Sequence, residues 1–176
     1  MNTKKKFVWI VIAVIALAIM LFALWMTRIS HTHQLARHLA EVDFQELLTV
    51  CRQLQARTEE GTLPAGSYWV RLNRQPQLPD VPDPIRKVDP LYVRVAREGY
   101  VELEMGGIPF WGFVAYATDR REDYPFQGDV EIIPGLWYYD EDYEVYPRFK
   151  DKVDALIQEA KTRQNRPVED HPAELW

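Results

Sequence analysis

Apolar and polar positions divide the chain into three zones of different period. The first has no period at all: Phe7 to Met26 is a run of twenty apolar residues, FVWIVIAVIALAIMLFALWM, without a charge, a proline or a glycine. At about 1.5 Å of helical rise per residue it spans about 30 Å, the thickness of a bilayer's hydrocarbon layer. A helix packed on a soluble core would carry a polar side, and this one has none. Trp9 and Trp25 stand near its two ends, where indole rings favour the membrane interface.

The second zone, from about Ser30 to Thr58, has helical spacing. Leu35, Leu39, Val42, Leu47, Cys51 and Leu54 recur every three to five residues, and Phe44 and Leu48 widen the stripe. No proline or glycine interrupts Met1 to Glu60. The pattern therefore allows one helix running out to Gly61, or a break near Ile29 to Thr32 with Ser30 or Thr32 as the cap. The stripe is not a sustained heptad, so it predicts packing against the sheet that follows rather than a coiled coil.

After Gly66 the period becomes two. Tyr68 to Leu72 alternates as a strand, and Pro76, Pro79, Pro82, Pro84 and Pro90 then predict an exposed, stiff loop. Leu91 to Val95 and Val101 to Met105 alternate around Glu98-Gly99 as a hairpin. A three-residue loop is expected, with Val95 opposite Leu103, Val93 opposite Met105 and Arg94 opposite Glu104, which gives one apolar face and one charged face. Ile108 to Ala117 is nearly all apolar and reads as the central strand. Val130 to Ile133 and Leu136 to Tyr139 flank a Pro134-Gly135 turn, and a last helix opens at Tyr146-Pro147 with Phe149, Val153, Leu156, Ile157 and Ala160 on one side.

The fold class is thus α+β: a single N-terminal transmembrane helix, an amphipathic helix, a small antiparallel β-sheet of about five or six strands, and a C-terminal helix. The expected organisation is a basic stub at 1–6, the membrane helix at 7–26, a juxtamembrane amphipathic helix at 27–60, an α+β domain at 61–163 and a mobile tail at 164–176.

Charge gives the chain a direction. Lys4, Lys5 and Lys6 precede the apolar run, which predicts a cytoplasmic N-terminus and an extracytoplasmic C-terminal domain. Setting those lysines aside takes the formal charge from −5 to −8, and an acidic surface argues against nucleic acid as a partner. Ala16-Leu17-Ala18 has the small-x-small form read by signal peptidase, but Ile19 to Met26 continues the apolar run, so an uncleaved signal anchor is expected.

Chemistry is sparse. Cys51 is the single cysteine, which excludes an internal disulfide and multi-cysteine zinc sites, and it lies on the apolar stripe as a small buried hydrophobe would. His31, His33 and His38 are spaced two, five and seven apart instead of the i, i+4 a helical zinc pair needs, so they read as a solvated helix end. Ser67, in Pro-Ala-Gly-Ser-Tyr, lacks the glycine of a nucleophile elbow and reads as a turn residue. No metal and no cofactor is expected, and the catalytic residues, if there are any, are not marked by a motif.

One asymmetry points to a partner. Nine carboxylates between Thr118 and Glu144 face only Arg120 and Arg121. Beside them stand Trp137, Tyr138, Tyr139, Asp140 and Asp142, taken as candidate partner-binding residues, because aromatic faces beside carboxylates suit a glycan or a protein. If Trp137 and Tyr139 face inward on a strand, Tyr138 alone is outward, and the cluster then reads as mostly core.

The reading is a membrane-anchored, non-enzymatic envelope protein that presents an acidic α+β domain for protein or polymer binding. A membrane-tethered hydrolase using paired carboxylates such as Asp140 or Asp142 is the alternative within enzymes. The plan of a membrane helix running into a stalk beside an antiparallel sheet resembles that of pilins and pseudopilins, which implies a filament or secretion-system subunit. The resemblance is architectural only: Lys6-Phe7 lacks the glycine of those precursors, and Val11 stands where their glutamate would be.

Overall fold

The computed structural model describes residues 3–106, 110–124, 127–141 and 143–164, with the side chains of 3–8, 23–31 and 122 left out. It divides into two compact units, 1–37 and 38–176.

The first unit lies on one helix, α1 (Thr3–Glu41), which contains the whole apolar run. The side chains of residues 9–22 are all exposed, among them Trp9, Ile10, Val14, Ile19 and Phe22. Among the described residues no helix is long and apolar enough to cross a membrane.

The second unit is α+β. Helix α2 (Phe44–Glu59) starts where Asp43 caps it, the Asp43 side chain accepting a hydrogen bond from the Glu46 backbone N–H at 3.0 Å. The helical pattern therefore breaks at Val42–Asp43 and not near Ile29 to Thr32, because a short carboxylate at that position satisfies an end-of-helix N–H that leucine or valine cannot. Phe44, Leu47, Leu48, Cys51, Leu54 and Gln55 form its buried side. It ends at Glu59, and just beyond it Gly61, with φ of +74°, lets the Thr62 and Leu63 amides turn back onto the Arg57 carbonyl.

Six antiparallel strands follow in one sheet of order β1-β2-β3-β4-β6-β5. They are β1 (Gly66–Trp69), β2 (Tyr92–Val95), β3 (Tyr100–Glu104), β4 (Trp111–Tyr116), β5 (Val130–Ile133) and β6 (Leu136–Asp140). The Ile108 to Ala117 run supplies a central strand, β4, from Trp111 on; Ile108 and Pro109 lie outside the described residues.

Three expectations need correction. Strand β1 begins at Gly66 and ends at Trp69, so Ser67 is an exposed strand residue and not part of a turn. The proline-rich stretch is not loop throughout: helix α3 (Asp83–Val88) starts with Pro84 in its first turn, where a missing N–H costs nothing, and buries Ile85 and Val88. Finally, the hairpin pairs Val95 with Val101, Arg94 with Glu102 and Val93 with Leu103. Its three-residue loop is Arg97-Glu98-Gly99, closed by the Ala96 N–H on the Tyr100 carbonyl at 2.9 Å, with Gly99 at φ +90°. The loop size was expected, and the pairing is two residues away from the expected one because Ala96 and Tyr100 extend the ladder.

Register sorts the side chains onto two faces. Val93, Val95, Val101, Leu103, Phe113, Ala115, Leu136 and Tyr138 share one face, against which α2 packs. Helix α4 (Pro147–Gln164) packs at β5 through the expected stripe of Phe149, Val153, Ile157 and Ala160, Leu156 being half-buried. The opposite face carries Trp69, Tyr92, Arg94, Glu102, Glu104, Val114, Tyr116, Trp137 and Tyr139, and is covered by its own side chains and by Tyr124 from the β4–β5 connection.

Candidate functional site

Strand β6 splits the aromatic and acidic candidates between the two faces. Tyr138 and Asp140 point to the helix side, where the Tyr138 hydroxyl donates to Asp140 Oδ2 at 2.6 Å and the Asp140 N–H donates to Asp129 Oδ2 at 2.7 Å. Both residues are buried. Burial raises the Asp129 carboxyl above its ordinary value, and burial followed by the Asp140 charge raises the Tyr138 phenol. Trp137 and Tyr139 lie on the opposite face, the first half-buried and the second buried. The cluster is mostly core, as expected, but Tyr138 is not its outward member: it is directed into the helix-side core, because the run of Phe113 and Leu103 beside it defines that face. Asp142 lies outside the described residues.

The acidic run is dispersed rather than gathered. Asp119 pairs with Arg52 at 2.6 Å, Glu144 pairs with Lys150 at 2.6 Å, and Asp140 is inside the fold. His38, expected in solvent, is buried in the last turn of α1 with its ring centroid 6.2 Å from that of Trp111; the helix runs on to Glu41 and so carries His38 into the second unit. His33 is exposed and the His31 side chain is outside the described residues. Cys51 is fully buried, which pushes its thiol up to about 12 and leaves it without the thiolate a nucleophile needs. Among the described residues no group of His, Cys, Asp and Glu is placed to hold a metal ion.

The densest polar chemistry sits on the face opposite α2 and was not anticipated. Glu102 and Glu104, two residues apart on β3, are only 5% and 2% exposed. The Tyr139 hydroxyl lies 3.0 Å from Glu102 Oε1 and 2.7 Å from Glu104 Oε2. Tyr139 reaches them across β4 because the residue between, Gly112, has no side chain: a Cβ there would stand 2.9 Å from the Tyr139 oxygen and 2.0 Å from the Leu103 carbonyl oxygen.

A phenol has one proton and can donate once. For both contacts to be hydrogen bonds the hydroxyl donates to one carboxylate and accepts from the other, which must itself be protonated. Burial raises both carboxyls above their ordinary 4.5, against the opposing pull of the Tyr139 hydrogen bond and, for Glu102, of Arg94 at 3.8 Å. Glu104 also accepts the Gly106 N–H at 3.0 Å. Burial thus favours the protonated form of each acid, and two carboxyls sharing one phenol titrate as a coupled pair. Tyr92, beside it, is pushed up to about 12, first by burial and then by the two glutamate charges.

Chemically this pair can store a proton and lock three strands together. It does not present itself to a substrate, since both acids close on Tyr139. A cavity of ≈350 Å³ at Ala40, Val42, Asp43 and Gln164 and another of ≈310 Å³ at Gln55, Thr58, Glu59 and Arg97 lie elsewhere in the fold, and neither is lined by Glu102 or Glu104. The clue in the sequence was Gly112 on an apolar central strand flanked by an acid pair and a tyrosine, but only the strand order makes those three neighbours.

Arginines complete the face. Arg74 lies over the Trp69 ring at 5.3 Å, Arg94 over Tyr100 at 6.0 Å and Arg121 over Trp137 at 4.5 Å. The Trp69 and Tyr92 rings meet edge-on at 6.0 Å, and Tyr116 and Tyr124 stack at 4.8 Å. No family model, no curated protein and no solved structure matches this chain.

Proposed function

We propose that the chain is a membrane-anchored, non-enzymatic binding protein whose residues 7–26 lie in a bilayer and whose α+β unit is held on the extracytoplasmic side. One observation carries the proposal: the twenty-residue apolar run lies entirely inside α1, and the described side chains along it, 9–22, are exposed on every side of the helix. A helix whose described side chains along an apolar run are exposed all round is suited to a cover of lipid. The lysines before the run favour retention of the N-terminus in the cytoplasm.

Two features favour binding over the rival activities. The acids with raised pKa close on a tyrosine instead of lining a cleft, which counts against a hydrolase. The helix break at Val42–Asp43 counts against the continuous stalk of a filament subunit.

Alkaline carbonate washing of membranes from cells expressing the full chain tests the anchor. The chain is expected to stay in the pellet, and a version lacking residues 7–26 to appear in the supernatant. Release of the full chain by carbonate contradicts the proposal.

A further inference from the structure

The cavity of ≈310 Å³ lies where the end of α2 meets the β2–β3 loop: Gln55, Thr58 and Glu59 line it from the helix, Leu63 and Pro64 from the segment that follows, and Arg97 from the loop. Gln55 is the group out of balance there. It is 3% exposed, and its Oε1 has no hydrogen-bond partner among the described residues. A buried carbonyl oxygen in that state has lost its water and gained nothing in return, so a donor from outside the chain stabilises it. The acceptors and donors around it are already committed. The Ala56, Arg57 and Thr58 carbonyls accept the amides of Glu60, Thr62, Leu63 and Gly61, the Thr58 hydroxyl donates to the Leu54 carbonyl at 3.2 Å, and the Pro64 carbonyl accepts the Tyr68 hydroxyl.

Two charges on the cavity wall are not committed. Glu59 and Arg97 are exposed, and among the described residues neither forms an ion pair, with the other or with a third group. Arg57, Glu60 and Glu98 adjoin them in the sequence without lining the cavity, so both signs are present and neither a net anion nor a net cation is selected. Leu63 and Pro64 supply an apolar wall.

We propose that this cavity binds a free α-amino acid with an apolar side chain, its ammonium group donating to Gln55 Oε1 and Glu59, its carboxylate on Arg97 and its side chain against Leu63 and Pro64. The inference rests on the reading of the chain as a binder and names a ligand for it; it makes no use of the membrane helix. A carboxylate, a guanidinium and an unpartnered carbonyl oxygen around one space match a zwitterion, because each end of the ligand then makes a charge-assisted hydrogen bond. The volume stands at the lower end of the about 300–1,000 Å³ of small-molecule pockets, which suits a ligand of this size.

The test is calorimetric titration of the full chain at pH 7 in neutral detergent micelles with L-leucine, with N-acetyl-L-leucine, which lacks the ammonium group, and L-leucinamide, which lacks the carboxylate, as comparisons. L-leucine is expected to bind about tenfold more tightly than either, an arm that needs no variant. Gln55→Leu replaces the unpartnered amide with an apolar side chain of similar size; it should weaken L-leucine about tenfold while its thermal melt stays at or above the parent's. Arg97→Gln should weaken L-leucine several-fold and leave L-leucinamide unchanged, and Glu59→Gln should weaken L-leucine and leave N-acetyl-L-leucine unchanged, both positions being exposed. No binding of L-leucine, undiminished binding by Gln55→Leu, or equal weakening of all three compounds by Arg97→Gln overturns the proposal. L-leucinamide binding as tightly as L-leucine overturns the free amino acid and assigns the site to a peptide amino terminus. If Gln55→Leu melts below the parent, the two surface variants decide the matter. Carbonate retention reads the anchor without any amino acid, so the ligand can fail while the anchor stands.

Discussion

On the helix side of the sheet, Phe113, Leu103 and Leu136 are covered by α2, and the buried acid there, Asp140, stands at the end of β6 beside Tyr138; one strand position away, on the other side, Glu102 and Glu104 are buried in the middle of the sheet beside Gly112 and Tyr139. The first face is closed by apolar area, which is non-directional and tolerates exchange among hydrophobic residues of similar volume. The second is closed by hydrogen bonds between groups that are costly to bury unless every one finds its partner, so its geometry leaves little freedom. The difference is one of tolerance: apolar burial accepts exchange among similar side chains, whereas the acid pair and Tyr139 depend on each partner being in place.

Neighbouring substitutions on β4 separate the two faces most sharply. Phe113→Ala empties a fully buried site on the helix side and is expected to lose about 3–5 kcal/mol in chemical denaturation. Gly112→Ala adds a single carbon on the other side, yet it would meet the Leu103 carbonyl oxygen at 2.0 Å, so β3 and β4 must part; a loss of about 3 kcal/mol is expected, and a neutral result would mean that Tyr139 has another route to the glutamates. Tyr139→Phe keeps the ring and removes the one hydroxyl between the acids, costing about 2 kcal/mol at neutral pH.

The smallest effect has the opposite sign. Because burial raises the Glu102 and Glu104 carboxyls above 4.5, the folded chain holds protons that the unfolded chain gives up. The stability this contributes is complete below pH 4.5 and is lost as the pH rises through the raised values. Glu104→Gln keeps the shape of the pair without that proton, so it should be about 1 kcal/mol more stable than the parent at pH 8, with the advantage shrinking toward pH 4.5. Asp129, raised by burial on the other face, contributes a slope of the same sense to both chains and drops out of the difference. A variant less stable than the parent at pH 8 would contradict the upward shift of these carboxyls.

Much of the fold was legible from periodicity. The stripe of α2, the strands β5 and β6 about their Pro134-Gly135 turn, and the buried side of α4 all follow from spacing, because each is decided by local contrast between apolar and polar neighbours. What escaped depended on contacts distant in sequence. Glu102 and Glu104 look like the solvent side of a hairpin until β4 and β6 bring Gly112 and Tyr139 alongside, and alternation cannot tell a wet face from one roofed by tyrosines. The two-residue offset of the hairpin came from Ala96 and Tyr100 closing its end, and the helix break at Asp43 from a capping hydrogen bond that no hydrophobic pattern records. The set Trp137 to Asp142 was chosen for proximity along the chain, whereas a strand sends neighbours to opposite faces.

The orientation of the chain across a membrane is tested most directly by thiol labelling in right-side-out spheroplasts with a membrane-impermeant maleimide. Cys51 is buried, so the parent chain should stay unlabelled and give the baseline. A cysteine at exposed Gln158 is expected to label in intact spheroplasts, and one at Asn2 only after the membrane is permeabilised. Labelling of the Asn2 position in intact spheroplasts, or protection of the Gln158 position until they are broken, would contradict the account.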